Sequence, residues 1–291
     1  MSRGALSPAH LQQLREASGH APGRARPIGG GDSFAAVLIE LGPQTWFVKL
    51  GAPGDAATFE AEADGLRWLA EAGVIRVPQV HAVGREPAPL LALEAIAARP
   101  GDDDRSQAAL GHALAQLHAA GAPGFGHRRD NVCGRVAQDN RTCDDWPTFF
   151  ATRRLLPLLR RARDETGLAP PLVHAIESIA ATAATRVGPP EPPSRLHGDL
   201  WRGNVLFDAH DRPVLIDPAV YGGHREVDLA MMRLFGGFAP ACFAAYERAA
   251  PLAAGASQRV ALYQLVPLLV HVIMFGGSWT AALRRAVAAC G

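Results

Sequence analysis

The 291-residue sequence predicts an α+β protein of two lobes: a small antiparallel β-sheet with one helix over residues 1–95, and a larger, mainly helical lobe over 96–291. Three observations predict it. Strand-like runs crowd into the first third of the chain, one helical period interrupts them, and helical patterning dominates from "RPGDDDRSQAALGHALAQLHAAG" onward. With 48% hydrophobic residues the chain has enough apolar surface for a real core.

The elements follow in order. "SRGALSPAHLQQLREASG" reads as an amphipathic helix with Ser7 as N-cap and Pro8 at its first position, and it lacks the pattern of a secretory leader. "FAAVLIEL" (34–41) and "TWFVKL" (45–50) are strand runs joined by "GPQ", a hairpin signal. Residues 56–72 carry helical periodicity, and "VPQVHAVG" and "PLLALEAI" read as two further strands. The connection at 94–100 is the expected hinge, with a cleft between the lobes. In the second lobe a single strand pair is expected, over 205–217. The apolar stretch "VALYQLVPLLVHVIMFGG" is interrupted by Gln264, Pro267 and His271, which favours a buried helix over a membrane span. A net charge of +1 gives no basis for a nucleic-acid or membrane partner. Four cysteines without a CxxC pair suggest no disulfide framework and fit a reducing cytoplasm.

The chemistry concentrates in "RLHGDLWRGNVLFDAHDRPVLIDPA", residues 195–219. "VLFD" and "PVLID" should pair as a hairpin, bringing Asn204 before the first strand opposite Asp217 after the second, about 5 Å apart. An amide oxygen and a carboxylate there suit Mg²⁺, which takes a few hard oxygen ligands and leaves the rest to phosphates and water. Asp199 lies five residues before Asn204, the interval of the H-R-D-x-x-x-x-N catalytic loop, with Gly198 in place of the arginine.

Lysine occurs once among 29 basic residues, as Lys49 at the end of a strand run. An ATP-dependent phosphotransferase needs a cation on its N-terminal sheet for the nucleotide phosphates, paired with a helix glutamate. Lysine brings a compact ammonium on a slim stem, whereas guanidinium is a wide planar fork. Of Glu60 and Glu62, Glu62 follows the Phe59–Leu66 apolar pattern and is the expected partner. "IGGGDSF" precedes the first strand run and makes Gly30, Gly31 and Ser33 candidate phosphate donors through their backbone amides. Glu94 and Ile96, at the hinge, are candidate backbone contacts to adenine.

These residues, with "FEAEADGLRWL", "FGHRRDNVCGRVAQDN", "DWPTFFATRRLLP" and "IDPAVYGGHREVDLAMMRLFGGF", resemble the fructosamine kinase (ketosamine-3-kinase) family of the protein-kinase-like fold over nearly the whole chain. The phrase through Tyr221, His224, Arg225, Glu226 and Asp228 separates that family from aminoglycoside and choline kinases. The resemblance implies Asp199 as catalytic base, Asn204 and Asp217 as Mg²⁺ ligands, Lys49 with Glu62 as the ATP-orienting pair, and His197 and Asp228 as structural support. It also implies transfer to the 3-hydroxyl of a free or protein-bound ketosamine, followed by breakdown of the product, which amounts to deglycation. Trp201, Asp130, Asn131, Gln138, Asn140 and Trp146 are then candidate acceptor contacts. The expected state is a monomer, a dimer being the alternative. Competing readings are an aminoglycoside- or choline-type phosphotransferase and a catalytically silent nucleotide-binding scaffold. Only ten residues separate Asp217 from Asp228, too few for the activation segment of a protein kinase.

Overall fold

A computed structural model of the chain describes residues 6–29 and 34–291. Two compact units emerge: Met1–Pro100 with Leu206–Asp217, and Gly101–Val205 with Pro218–Gly291. The expected division near residue 95 is thus joined by an excursion. A hairpin far along the chain packs with the first unit, and sequence order alone hides this.

In the first unit, helix α1 (Pro8–Ser18) is capped by Ser7, whose Oγ accepts from the His10 amide, and it ends at Gly19 with φ +72°. Five strands follow: β1 (Pro22–Ile28), β2 (Ala35–Leu41), β3 (Gln44–Leu50), β4 (Val80–Val83) and β5 (Leu90–Glu94). They form one antiparallel sheet in the order β1-β2-β3-β5-β4. Strand β1 was not legible in the sequence. "PGRARPI" holds two prolines and mostly exposed side chains, and only an edge position tolerates that. Period-two alternation gives the sheet two apolar faces. Val37, Ile39, Leu41, Trp46, Val48 and Leu50 pack with Leu14 of α1 on one side. Helix α2 (Ala56–Ala70) covers the other, through Phe59, Ala63 and Leu66 against Leu91 and Leu93. Lys49 alternates with Val48 and Leu50, so it lies on the face that α2 covers.

The second unit is mainly helical; the strand pair expected there, Val205–Phe207 with Pro213–Leu215, lies almost wholly in the first unit, and the second holds two small pairs that were not expected. Asn131–Cys133 pairs with Val136–Gln138, and Ser194–Leu196 with Tyr221–Gly223. Runs of three residues are too short to show a period. Helix α3 (Asp104–Ala119) starts at Asp103, whose carboxylate caps Ser106, while Asp102 pairs with Arg202 at 3.0 Å. Helix α3 packs on the helix Pro240–Ala249 so closely that a Cβ on Gly111 would sit 2.0 Å from the Cys242 carbonyl oxygen. The helix Ala256–Phe275 with its continuation to Ala289 is long and apolar enough to cross a membrane by length and composition. Here its Leu262, Leu265, Leu268, Leu269 and Val272 lie in the core of the unit.

Candidate active site

Strand β3 and helix α2 bring Lys49 and Glu62 together in the first unit. Lys49 Nζ donates to Glu62 Oε1 at 2.7 Å and Oε2 at 2.8 Å, and also to Asp217 Oδ1 at 2.8 Å. Glu62 stands three residues after Phe59 and four before Leu66, on the buried face of α2, whereas Glu60 is exposed. Burial opposes the Lys49 charge, yet the Glu62 and Asp217 carboxylates outweigh it and hold its pKa above the ordinary lysine range. Burial also pushes the Glu62 carboxyl upward, with the ammonium pulling it back and Asp217 adding to the rise. Asp217 differs from its partners: its side chain is 45% exposed and its φ is +54°, a left-handed conformation uncommon outside glycine. One strained, accessible carboxylate thus tops a buried ion pair.

The second unit holds the segment His197–Asn204. Gly198 adopts φ +80°, and a Cβ there would lie 2.1 Å from the Ala219 carbonyl oxygen, which explains why no arginine stands at this point. Asp228 is fully buried and accepts from the amides of His197 (2.8 Å) and Gly198 (2.9 Å). Burial works against its charge, but its donors, His118 first, keep its pKa below the ordinary aspartate range. Beyond the turn, Asn204 Nδ2 donates to the Asp199 carbonyl at 2.8 Å and to Asp199 Oδ2 at 3.2 Å. The amide nitrogen is therefore committed to Asp199, and the Asn204 oxygen is the atom left for a cation. Taken singly, these donors suit Mg²⁺: Asn204 in the second unit offers an amide oxygen and Asp217 in the first an exposed carboxylate, both hard ligands.

The remaining candidates separate. Trp201 is 40% exposed, with its ring lying against Gly203, so it is a surface platform rather than a core indole. Asn131 Nδ2 donates to the Val220 carbonyl at 2.9 Å. Asn131 Oδ1 and Gln138 Nε2 are buried on directly opposed residues of one hairpin. Asp130 Oδ1 accepts from the Asn140 amide, and Asn140 itself bonds the Arg129 carbonyl and Arg154. Trp146 is a core residue whose Nε1 donates to the Tyr263 hydroxyl at 3.1 Å, which removes it from the acceptor set. Glu94 ends β5 with its carboxylate bound by Arg76, and Ile96 follows the strand half-buried. Gly30, Gly31 and Ser33 lie outside the described residues. Sequence reasoning missed His118, which bonds Asp228; its signal, "QLHAAG" at a helix end, is weak alone.

A lysine–glutamate pair bridging a sheet and its helix, with an Asp–Asn loop in a helical unit, defines a phosphotransferase of the protein-kinase-like class. An aminoglycoside phosphotransferase shares the fold with a TM-score of 0.65 at 17% identity, covering 96% of each chain. Residues 6–290 match the fructosamine kinase family, and the chain belongs to that family. A probable ketoamine kinase of Enterococcus faecium is 39% identical over 88% of this chain and 91% of its own. The chloroplastic protein-ribulosamine 3-kinase of Arabidopsis thaliana is 35% identical over 87% and 78%. The crystal structure of a candidate fructosamine-3-kinase from Thermobifida fusca superposes with a TM-score of 0.89 at 38% identity, covering 99% of both chains. The protein is therefore a kinase of that family, and ATP is the expected phosphoryl donor.

Proposed function

We propose that the protein transfers the γ-phosphoryl group of ATP to the 3-hydroxyl of a ketosamine, free or protein-bound. The names borne by its relatives support the acceptor class. One geometric observation carries the chemistry: the Asn204 amide holds the Asp199 carboxylate from within its own loop, leaving the amide oxygen unspent. In this reading Asp199 accepts the proton of the attacking hydroxyl as general base. Lys49, held by Glu62, binds the phosphates of ATP and offsets charge that develops on them during transfer. Asn204 and Asp217 hold Mg²⁺, which, when bound, neutralises phosphate charge. Backbone amides of Gly30, Gly31 and Ser33 contribute to the phosphate site, and Glu94 and Ile96 to the adenine site. Trp201 carries the acceptor, with Asp130, Asn131 and Gln138 as neighbouring contacts. The 3-phosphate product then breaks down spontaneously, freeing the amine, so the net effect is deglycation. The reading includes no nucleic-acid or membrane partner and places the reaction in the cytoplasm.

Incubation with Mg-ATP and fructosamine, ribulosamine or erythrulosamine adducts of lysine, followed by ADP release, tests the reading. Release with at least one adduct is expected. Turnover of an aminoglycoside or of choline, with none of any adduct, would replace it.

A further inference from the structure

The phrase "YGGHREVD" contains Asp228, which holds the loop of Asp199, and Arg225, which the proposed chemistry does not use. Two side chains from other helices connect them. His118, at the end of α3, places Nε2 3.3 Å from Asp228 Oδ2 and Nδ1 2.8 Å from the Tyr246 hydroxyl. All three residues are at most 3% exposed. Tyr246 lies on the helix Pro240–Ala249; burial pushes its hydroxyl pKa up, and the charge of the Arg225 guanidinium opposes that push. Arg225 is in turn fixed by a fork onto Glu191 (2.8 and 2.9 Å) and by the Ala250 and Pro251 carbonyls.

At Asp228 the direction of this series is fixed. A carboxylate only accepts, so His118 Nε2 carries the proton toward Asp228. Nδ1 meets the Tyr246 hydroxyl, a group that can donate or accept, at 2.8 Å. Each bond in such a chain polarises the next. The series ends on the carboxylate that receives the His197 and Gly198 amides, immediately before Asp199. The close approach at Gly111 sets the helix spacing at which His118 and Tyr246 meet, their rings edge to face with centroids 5.6 Å apart.

We propose that His118 is a positioning residue for the phosphoryl-transfer reaction: held by Tyr246, it forms a hydrogen-bond relay that fixes Asp228 and, through it, the backbone beneath Asp199. The effect on turnover rests on Asp199 being the base; the effect on the loop does not. A buried histidine that only filled space would be replaced equally well by any side chain of similar volume.

Two amides separate these cases. In His118→Gln the side-chain nitrogen reaches the Nε2 position and keeps the Asp228 bond, whereas in His118→Asn it reaches only the Nδ1 position and loses it. His118→Gln is expected to stay within about 3-fold of the wild-type kcat. His118→Asn should fall about 10- to 100-fold, the scale of a misplaced catalytic group, with KM for ATP unchanged in both. Hydrogen exchange at the His197 and Gly198 amides reads the loop without any acceptor: protection should persist in the glutamine variant and drop in the asparagine variant. Equal protection in both variants would overturn the relay; equal kcat, with Asp199→Asn inactive, would overturn its effect on turnover. If Asp199→Asn turns over normally, the base assignment fails while the amide exchange still decides the relay.

Discussion

Lys49 and Asp217 are 168 residues apart in sequence, and a 2.8 Å hydrogen bond joins them. The lone lysine therefore serves two carboxylates: a buried one that fixes it and an exposed one proposed to hold Mg²⁺. An ammonium can be shared in this way because its three protons point in separate directions, whereas the donors of a guanidinium lie in one plane.

Substitution at Lys49 separates charge from shape. Lys49→Met leaves Glu62 buried without its counter-charge, which should cost about 3–5 kcal/mol of stability and lower kcat/KM for ATP by about 100-fold or more. Lys49→Arg keeps the charge, and denaturant melts should show most of the stability retained. Its kcat/KM should still fall by about 10-fold or more, because the planar fork cannot meet Glu62, Asp217 and phosphate together.

Trp201 should act on the acceptor alone. Trp201→Ala is expected to raise KM for the ketosamine by about 2- to 30-fold, the range of a cation–π contact of 0.5–2 kcal/mol, and to leave KM for ATP unchanged. A Cβ at Gly203 would come within 2.2 Å of the indole ring, so Gly203→Ala should displace the ring and reproduce the effect. Initial-rate kinetics with each substrate varied in turn checks both variants.

Much of this was legible in the sequence, and the exceptions share a cause. Glu62 could be chosen over Glu60 because helical periodicity assigns faces locally. The Asp199–Asn204 spacing is likewise local. The Lys49–Asp217 bond, the placement of Leu206–Asp217 with the first unit, and the His118–Asp228 bond all join distant segments that no periodicity connects. Trp146 was misread for another reason. An aromatic side chain suits an ammonium-bearing acceptor, and only packing shows that its ring lies among Phe149, Phe150 and Tyr263.

Gly198→Ala should damage the loop itself. The substitution meets both φ +80° and the Ala219 carbonyl, so a stability loss of about 1–3 kcal/mol or more is expected, together with a large fall in kcat. Thermal melts and turnover numbers measured on one preparation check the two effects together.

Asp208 gives the first unit an acid-sensitive anchor. It is buried, receives Arg76 at 2.9 Å, and accepts from Arg212 and the His210 amide. Burial raises its pKa, but these donors outweigh burial and hold it below the ordinary aspartate range. A depressed folded pKa gives stability that is fully present above the unfolded value of about 3.9 and lost as pH falls through the folded one. Asp208→Asn should therefore melt below the wild type at pH 7, with the gap narrowing as pH falls below about 4. Melting temperatures between neutral and strongly acidic pH read this directly.

The site of phosphorylation tests the proposed chemistry most directly. Carbon-13-labelled fructosyl-lysine is incubated with Mg-ATP, and phosphorus–carbon couplings in the NMR spectrum locate the new ester. Asp199 acting as base on the 3-hydroxyl predicts phosphate on that oxygen with the wild-type protein, and no ester with Asp199→Asn. An ester on any other oxygen, or the same product formed at the same rate by Asp199→Asn, would contradict it.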